Sequence, residues 1–207
     1  MSWNVVTTHG VRSDTSLFLS INDFAKSTPW LQPVVLAYAS YGIVVLAALM
    51  LAGWWVARGR ADARTMAAAL WVPLGTLIAV GINQPIADLV GQERPYAVLP
   101  DILVLAQHTT DPAFPSDHAV MAGAVTAGLF LVSRRLGLVA AAAAVLMAFA
   151  RVYIAAHYPI DVLAGLLLGA AVSLLGFLAV GRLLEGLVWI AEGTALRPLL
   201  TTGPTPA

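Results

Sequence analysis

The feature that most constrains this chain is a succession of apolar runs, at 31–57, 66–90, 116–132, 136–153 and 160–184, separated by short polar or basic turns and, after the second, by a polar loop from Gly91 to Pro115. A helix needs roughly 20 apolar residues to cross a bilayer, with about 17 as the lower limit. The runs meet that requirement, the third and fourth only barely, which lets the outer ends of those two segments dip into the headgroup layer. With 59% hydrophobic and 11% charged residues, the chain is too apolar for the surface of a soluble domain. The expectation is an all-α integral membrane bundle of about five transmembrane helices, forming a single domain over 1–207 with the bundle at 30–190.

Before the first run, residues 14–27 place Leu17, Phe18, Ile21 and Phe24 on one helical face, with Ser16, Ser20, Asn22 and Asp23 elsewhere. That is the pattern of an N-terminal amphipathic helix lying in the membrane interface. Residues Met1 to Arg12 hold no apolar core of a cleavable signal peptide, so the chain is expected to be used whole. The Gly, Pro and Thr-rich end, 201–207, is expected to be a flexible tail. Cysteine is absent and formal net charge is zero, so neither a disulfide framework nor a nucleic-acid partner is expected.

Alternating spans put Arg58, Arg60, Arg64, Arg134, Arg135, Arg182 and Arg197 on one side, which the positive-inside rule marks as cytoplasmic. The opposite, outer side of this multi-pass plasma-membrane protein collects the residues a bilayer disfavours: Arg94, then Ser116, Asp117 and His118, then Arg151, His157 and Asp161. Such residues mark function by default. Arg94 and Arg151 can hold a phosphoryl group through paired, charge-assisted hydrogen bonds. Ser116 stands where an N-cap would offer its hydroxyl and free backbone N–H groups to an anion. Asp161, four residues after His157, can accept a hydrogen bond from one ring nitrogen and leave the other as a neutral nucleophile. His118 would protonate the leaving oxygen and then activate water. The scheme calls for no metal and no cofactor. The spacing of His108, His118 and His157 also fits no metal motif. His9 and His108 read as solvated.

These segments resemble the three signatures of the type-2 phosphatidic-acid phosphatase superfamily, K-x6-R-P, P-S-G-H and S-R-x5-H-x3-D. Here they stand as Arg94-Pro95, then Pro115-Ser116-Asp117-His118, then Ala150-Arg151 with His157 and Asp161 at the family spacing. The resemblance implies a lipid phosphatase working through a phosphohistidine on His157. Three positions depart from it. Ala87 stands where the family has lysine, Ala150 where it has serine, and Asp117 where it has glycine. Asn83 and Gln84, one turn before Ala87, are candidates to fill the missing cation's place by hydrogen bonding, and Asp117 is expected to orient Arg94 or Arg151. The P-S-D-H form resembles the bacitracin-resistance type of undecaprenyl pyrophosphate phosphatase. The implied substrate is a membrane lipid phosphate or pyrophosphate, foremost undecaprenyl or another polyprenyl pyrophosphate. The rivals are a phosphatidylglycerophosphate or phosphatidate phosphatase, a polyprenyl-phosphosugar phosphatase and, from another class, a catalytically weak lipid-binding or lipid-moving protein. Oligomeric state is not legible.

Overall fold

The computed structural model describes the backbone of residues 4–203 and the side chains of residues 14–203. Among them the secondary structure is helical: α1 (Asn4–Ser27), α2 (Gln32–Arg60), α3 (Ala63–Val90), α4 (Pro95–Val98), α5 (Asp117–Val132), α6 (Arg134–Tyr153), α7 (Pro159–Glu192) and α8 (Arg197–Leu200). By length and composition α2, α3, α6 and α7 can cross a membrane, while α5 is a shorter apolar helix of 16 residues.

Helix boundaries follow local chemistry. Asp62 caps α3 by accepting the Thr65 N–H at 2.9 Å, next to Ala61 in the left-handed conformation. Gly91, at φ 60, ends α3 and returns its N–H to the Ala87 carbonyl, the conformation that glycine adopts at least cost. Ser133 alone separates α5 from α6, closing one helix with its N–H and opening the next with its carbonyl.

The centre of the bundle is the contact of α5 with α7. A Cβ added to Gly169 would lie 2.0 Å from the Val120 carbonyl oxygen, one on Gly123 would lie 2.2 Å from that of Leu166, and one on Gly165 would lie 2.7 Å from that of Ser116. Small residues let two helix backbones approach this closely in a membrane. Trp71 of α3 fills the groove beside them and donates its indole N–H to the Ser173 carbonyl at 2.8 Å. On the other flank Tyr38 of α2 donates to the Ala143 carbonyl of α6 at 2.8 Å.

Two expectations need correction. Helix α1 starts at Asn4, well before Asp14, and its buried stripe is Phe18, Asn22 and Ala25, while Leu17 and Phe24 are exposed. Asn22 is buried because its amide pairs with one peptide of the long loop, donating to the Leu103 carbonyl at 2.7 Å and accepting the Leu103 N–H at 2.9 Å. A fully paired amide is no obstacle to burial. The expected flexible tail is bound over its first residues: Thr202 N–H donates to the Arg58 carbonyl, and the Gly203 carbonyl accepts from Arg197. Residues 204–207 lie outside the described residues.

Gly169→Ala is expected to cost about 1–3 kcal/mol of stability through overpacking, read as a lower melting temperature of the detergent-solubilised protein. Gly186→Ala, whose added methyl meets nothing within 4 Å, is the matched control and leaves melting unchanged or raised.

Candidate active site

The α5–α7 contact brings the two helix N-termini side by side, and the Ser116 N–H donates to the Asp161 carbonyl at 3.1 Å. The end of α6 and the 154–158 turn complete the corner. Ala155, at φ 64, reverses the chain there, and the Ala156 N–H bonds back to the Arg151 carbonyl at 3.1 Å. Arg151 and His157 thereby face each other across one turn.

His157 is 2% exposed. Its Nδ1 donates to the Ala113 carbonyl at 2.7 Å, which fixes the proton on that nitrogen and leaves Nε2 as the lone-pair nitrogen. Two guanidinium groups converge on Nε2: Arg151 Nη2 at 3.2 Å and Arg94 Nη1 at 3.4 Å. Burial, then Arg151 and Arg94, push the His157 pKa well below its ordinary 6.5. The ring is held neutral, the state in which Nε2 keeps its lone pair.

Arg94 is fixed by backbone. Its Nε donates to the Asp111 carbonyl at 2.9 Å and its Nη1 to the Ala156 carbonyl at 3.1 Å. The loop supplying Asp111 is clasped to α4, where Tyr96 stacks on His108 at 4.4 Å between ring centroids and exchanges hydrogen bonds with the backbone of Thr109. His108, expected to be solvated, is exposed but has this partner.

Asp161 does not make the bond expected of it. Its Oδ2 stands 3.8 Å from His157 Nδ1 and instead accepts the Tyr158 N–H at 2.8 Å, closing the first turn of α7, while Oδ1 accepts from Gln92 at 2.9 Å. The ring proton goes to Ala113, which is nearer. Asp117 also differs from expectation. Its Oδ1 accepts from Asn83 at 2.7 Å and Gln84 at 3.0 Å, so no arginine is its hydrogen-bond partner. Asn83 and Gln84 therefore share their amide donors between Asp117 and the Pro115 and Val80 carbonyls, so none is aimed where a lysine would stand.

Ser116 occupies the N-cap position of α5, but its side chain makes no capping bond, and its hydroxyl is buried without a partner. Arg151 Nε is likewise buried and unpartnered. A buried donor without a partner costs about 1–3 kcal/mol, and an oxyanion is a partner that either could take.

Arg94, Asp117, His118, Arg151 and His157 line one cavity of about 920 Å³. The rest of its wall includes Leu36, Ala37, Ser40 and Tyr41 of α2, Gln84, Ala87 and Asp88 of α3, and Leu105, Gln107, Thr109 and Asp111 of the long loop. Tyr41, Gln84 and Asp88 on the helices and Gln107, Thr109 and Asp111 on the loop are exposed. The sequence motifs missed Ala113 and Gln92. Ala113 acts through its carbonyl, which carries no signature, and Gln92 is a lone amide in a long loop.

A family model for the PAP2 superfamily matches residues 68–185. The chain is 30% identical over 160 residues to a protein named bacitracin transport permease protein BcrC from Bacillus licheniformis, with 77% of each chain covered. It is 27% identical over 161 residues to the undecaprenyl-diphosphatase BcrC of Bacillus subtilis, covering 78% of this chain and 81% of the relative. The crystal structure of a PAP2-type phosphatidylglycerolphosphate phosphatase from Bacillus subtilis superposes with a TM-score of 0.59 at 24% identity, over 80% of this chain and 86% of that one, a likeness of fold.

The depressed His157 pKa has a kinetic consequence. The acid limb of kcat/KM reports protonation of a base in the free enzyme. For phosphate release from farnesyl diphosphate, corrected for substrate ionisation, that limb is expected well below the ordinary 6.5 of histidine, and a limb at 6.5 or above would contradict a ring held neutral by burial and two arginines.

Proposed function

Because the chain belongs to the PAP2 superfamily, and is a membrane lipid phosphatase, we propose that it cleaves a polyprenyl pyrophosphate, foremost undecaprenyl pyrophosphate, to the monophosphate through a phosphohistidine on His157. The observation that carries the reading is the convergence of Arg94 and Arg151 on the unprotonated Nε2, at 3.4 and 3.2 Å. A phosphoryl group bridging both guanidinium groups stands with phosphorus in front of that lone pair. The two groups also neutralise the charge that gathers on the equatorial oxygens during transfer.

In the first step the Nε2–P bond forms and the bond from phosphorus to the bridging oxygen breaks. His118, on the same cavity wall as Asp117, donates its proton to the departing lipid phosphate. In the second step His118 takes a proton from water, the resulting hydroxide attacks phosphorus, and inorganic phosphate leaves as the Nε2–P bond breaks. Asp161 holds the 157–161 turn in place, and the Ala113 carbonyl keeps the ring's proton on Nδ1. Ser116 is assigned to a phosphate oxygen on the strength of its unpartnered hydroxyl, which has to rotate toward the cavity to reach it.

Exposed Tyr41 of α2 and exposed Gln84 and Asp88 of α3 in the cavity wall suit a lipid that keeps its tail in the bilayer while its headgroup enters sideways. The concentration of Arg58, Arg60, Arg64, Arg134 and Arg135 at the far ends of the helices supports a site on the extracytoplasmic side. Binding is local, since Asp88, Asp111 and Asp117 share the cavity with the arginines and offset long-range attraction of an anion.

Phosphate release from a panel of farnesyl diphosphate, phosphatidylglycerophosphate and phosphatidate, with and without chelator, tests substrate class, with the diphosphate expected to turn over fastest and chelator to have no effect. His157→Ala is expected to lower kcat by about 10³-fold or more. It also removes the acid-labile labelled phosphoenzyme trapped from wild type with terminally labelled substrate. Turnover retained by that variant would exclude His157 as the nucleophile.

A further inference from the structure

One side chain outside the sequence motifs closes a hydrogen-bonded circuit around His157. Gln92, half-buried in the loop after α3, donates from Nε2 to Asp161 Oδ1 at 2.9 Å. Its main-chain carbonyl, which any residue at this position would keep, accepts the Ala113 N–H at 2.7 Å. The Ala113 carbonyl accepts His157 Nδ1–H at 2.7 Å, and Asp161 Oδ2 accepts the N–H of Tyr158, the residue after His157, at 2.8 Å. Gln92 therefore touches both supports of the imidazole: the carbonyl that sets its tautomer and the carboxylate that holds its turn.

We propose that Gln92 is a positioning residue for the His157 imidazole. The distances give the reason. Asp161 is fully buried, so an oxygen deprived of the Gln92 amide needs another donor. A donor close to the same carboxylate is His157 Nδ1, 3.8 Å from its other oxygen, Oδ2, and a carboxylate no longer held by Gln92 is free to turn toward it. Capture of that proton by Asp161 draws the ring off Ala113 and turns Nε2 away from the point where Arg94 and Arg151 meet. Gln92 holds Asp161 back from this competing bond. The phosphate clamp is anchored elsewhere, by the Asp111 and Ala156 carbonyls on Arg94, so the loss falls on the chemical step and spares substrate binding.

The inference rests on the reading of His157 as nucleophile, and the test separates the two. The full chain in detergent micelles is assayed for phosphate release from farnesyl diphosphate as wild type, Gln92→Ala, Gln92→Glu and His157→Ala. Gln92→Ala is expected to lower kcat by roughly 10- to 100-fold, the scale of a misplacement of about 1 Å, with KM within about twofold.

Gln92→Glu supplies a readout that a merely structural role would not move. Its carboxyl faces that of Asp161, and two adjacent carboxyls hold one shared proton at a raised pKa. Protonated, the pair restores an O–H donor to Asp161; deprotonated, it repels. The ratio of variant to wild-type kcat is therefore expected to rise as pH falls from about 8 to 5.5. The other charged or titratable groups around the pair, Asp14 of α1, Glu93 and Arg94 of the loop, and His157 and Tyr158 of the turn, are common to both proteins and cancel in that ratio.

A wild-type kcat in Gln92→Ala, with His157→Ala inactive, overturns the inference and leaves the nucleophile standing. A pH-independent ratio for Gln92→Glu, whatever the melting temperature of Gln92→Ala, also overturns it. Turnover retained in His157→Ala sinks both readings together.

Discussion

Backbone contact between α5 and α7 is the constraint on which the rest of the molecule depends. Where Gly123, Gly165 and Gly169 stand, a methyl group would sit 2.0 to 2.7 Å from carbonyl oxygens of the facing helix. In lipid there is little hydrophobic force to drive two helices together, so association rests on packing of this closeness. Its effect is directional. It sets the starts of the two helices at one level, and those starts bear Ser116, His118 and Asp161, while the turn before α7 bears His157. A slip of one helical turn would move one pair about 5 Å from the other.

Around that corner the protein solves an electrostatic problem with backbone more than with opposite charge. Two buried or half-buried arginines beside one imidazole repel each other, and no carboxylate forms an ion pair with either one among the described residues. Carbonyls of Asp111, Pro112 and Ala156 take up Arg94 instead. Dipoles satisfy the guanidinium hydrogens without cancelling the positive charge, so the field in the cavity stays positive beside the imidazole. Asp117, a carboxylate in the cavity wall next to His118, is in turn restrained by the amides of Asn83 and Gln84.

The spans were legible in the sequence because burial in lipid leaves no choice about backbone hydrogen bonding, and an apolar run must be helical. Grouping of Arg94, Ser116, His118, Arg151 and His157 at one end followed from counting alternations. Partners were less legible. Asp161 was expected to hold the imidazole because carboxylates do so often, yet a carbonyl from a residue 44 positions earlier reaches it first. No side-chain pattern encodes the path of a loop, and Ala113 would read the same were it any other residue. Asn22 was assigned to the wrong face for a related reason, since polarity predicts exposure only when no partner is waiting inside. Helix α7 overran its expected end because Leu187, Val188, Trp189 and Ile190 prolong the apolar run past Glu185.

The shortness of α5 has a further consequence. Sixteen residues rise about 24 Å, against roughly 30 Å of hydrocarbon in a typical bilayer. Exposed Arg134 and Arg135 keep the far end among headgroups, so the deficit of about 6 Å falls at the end that carries Asp117 and His118. Membrane thickness thereby becomes a variable of the chemistry. A thicker leaflet sets the Asp117 and His118 end of the cavity deeper below the headgroups, whereas a thinner one brings it nearer to water.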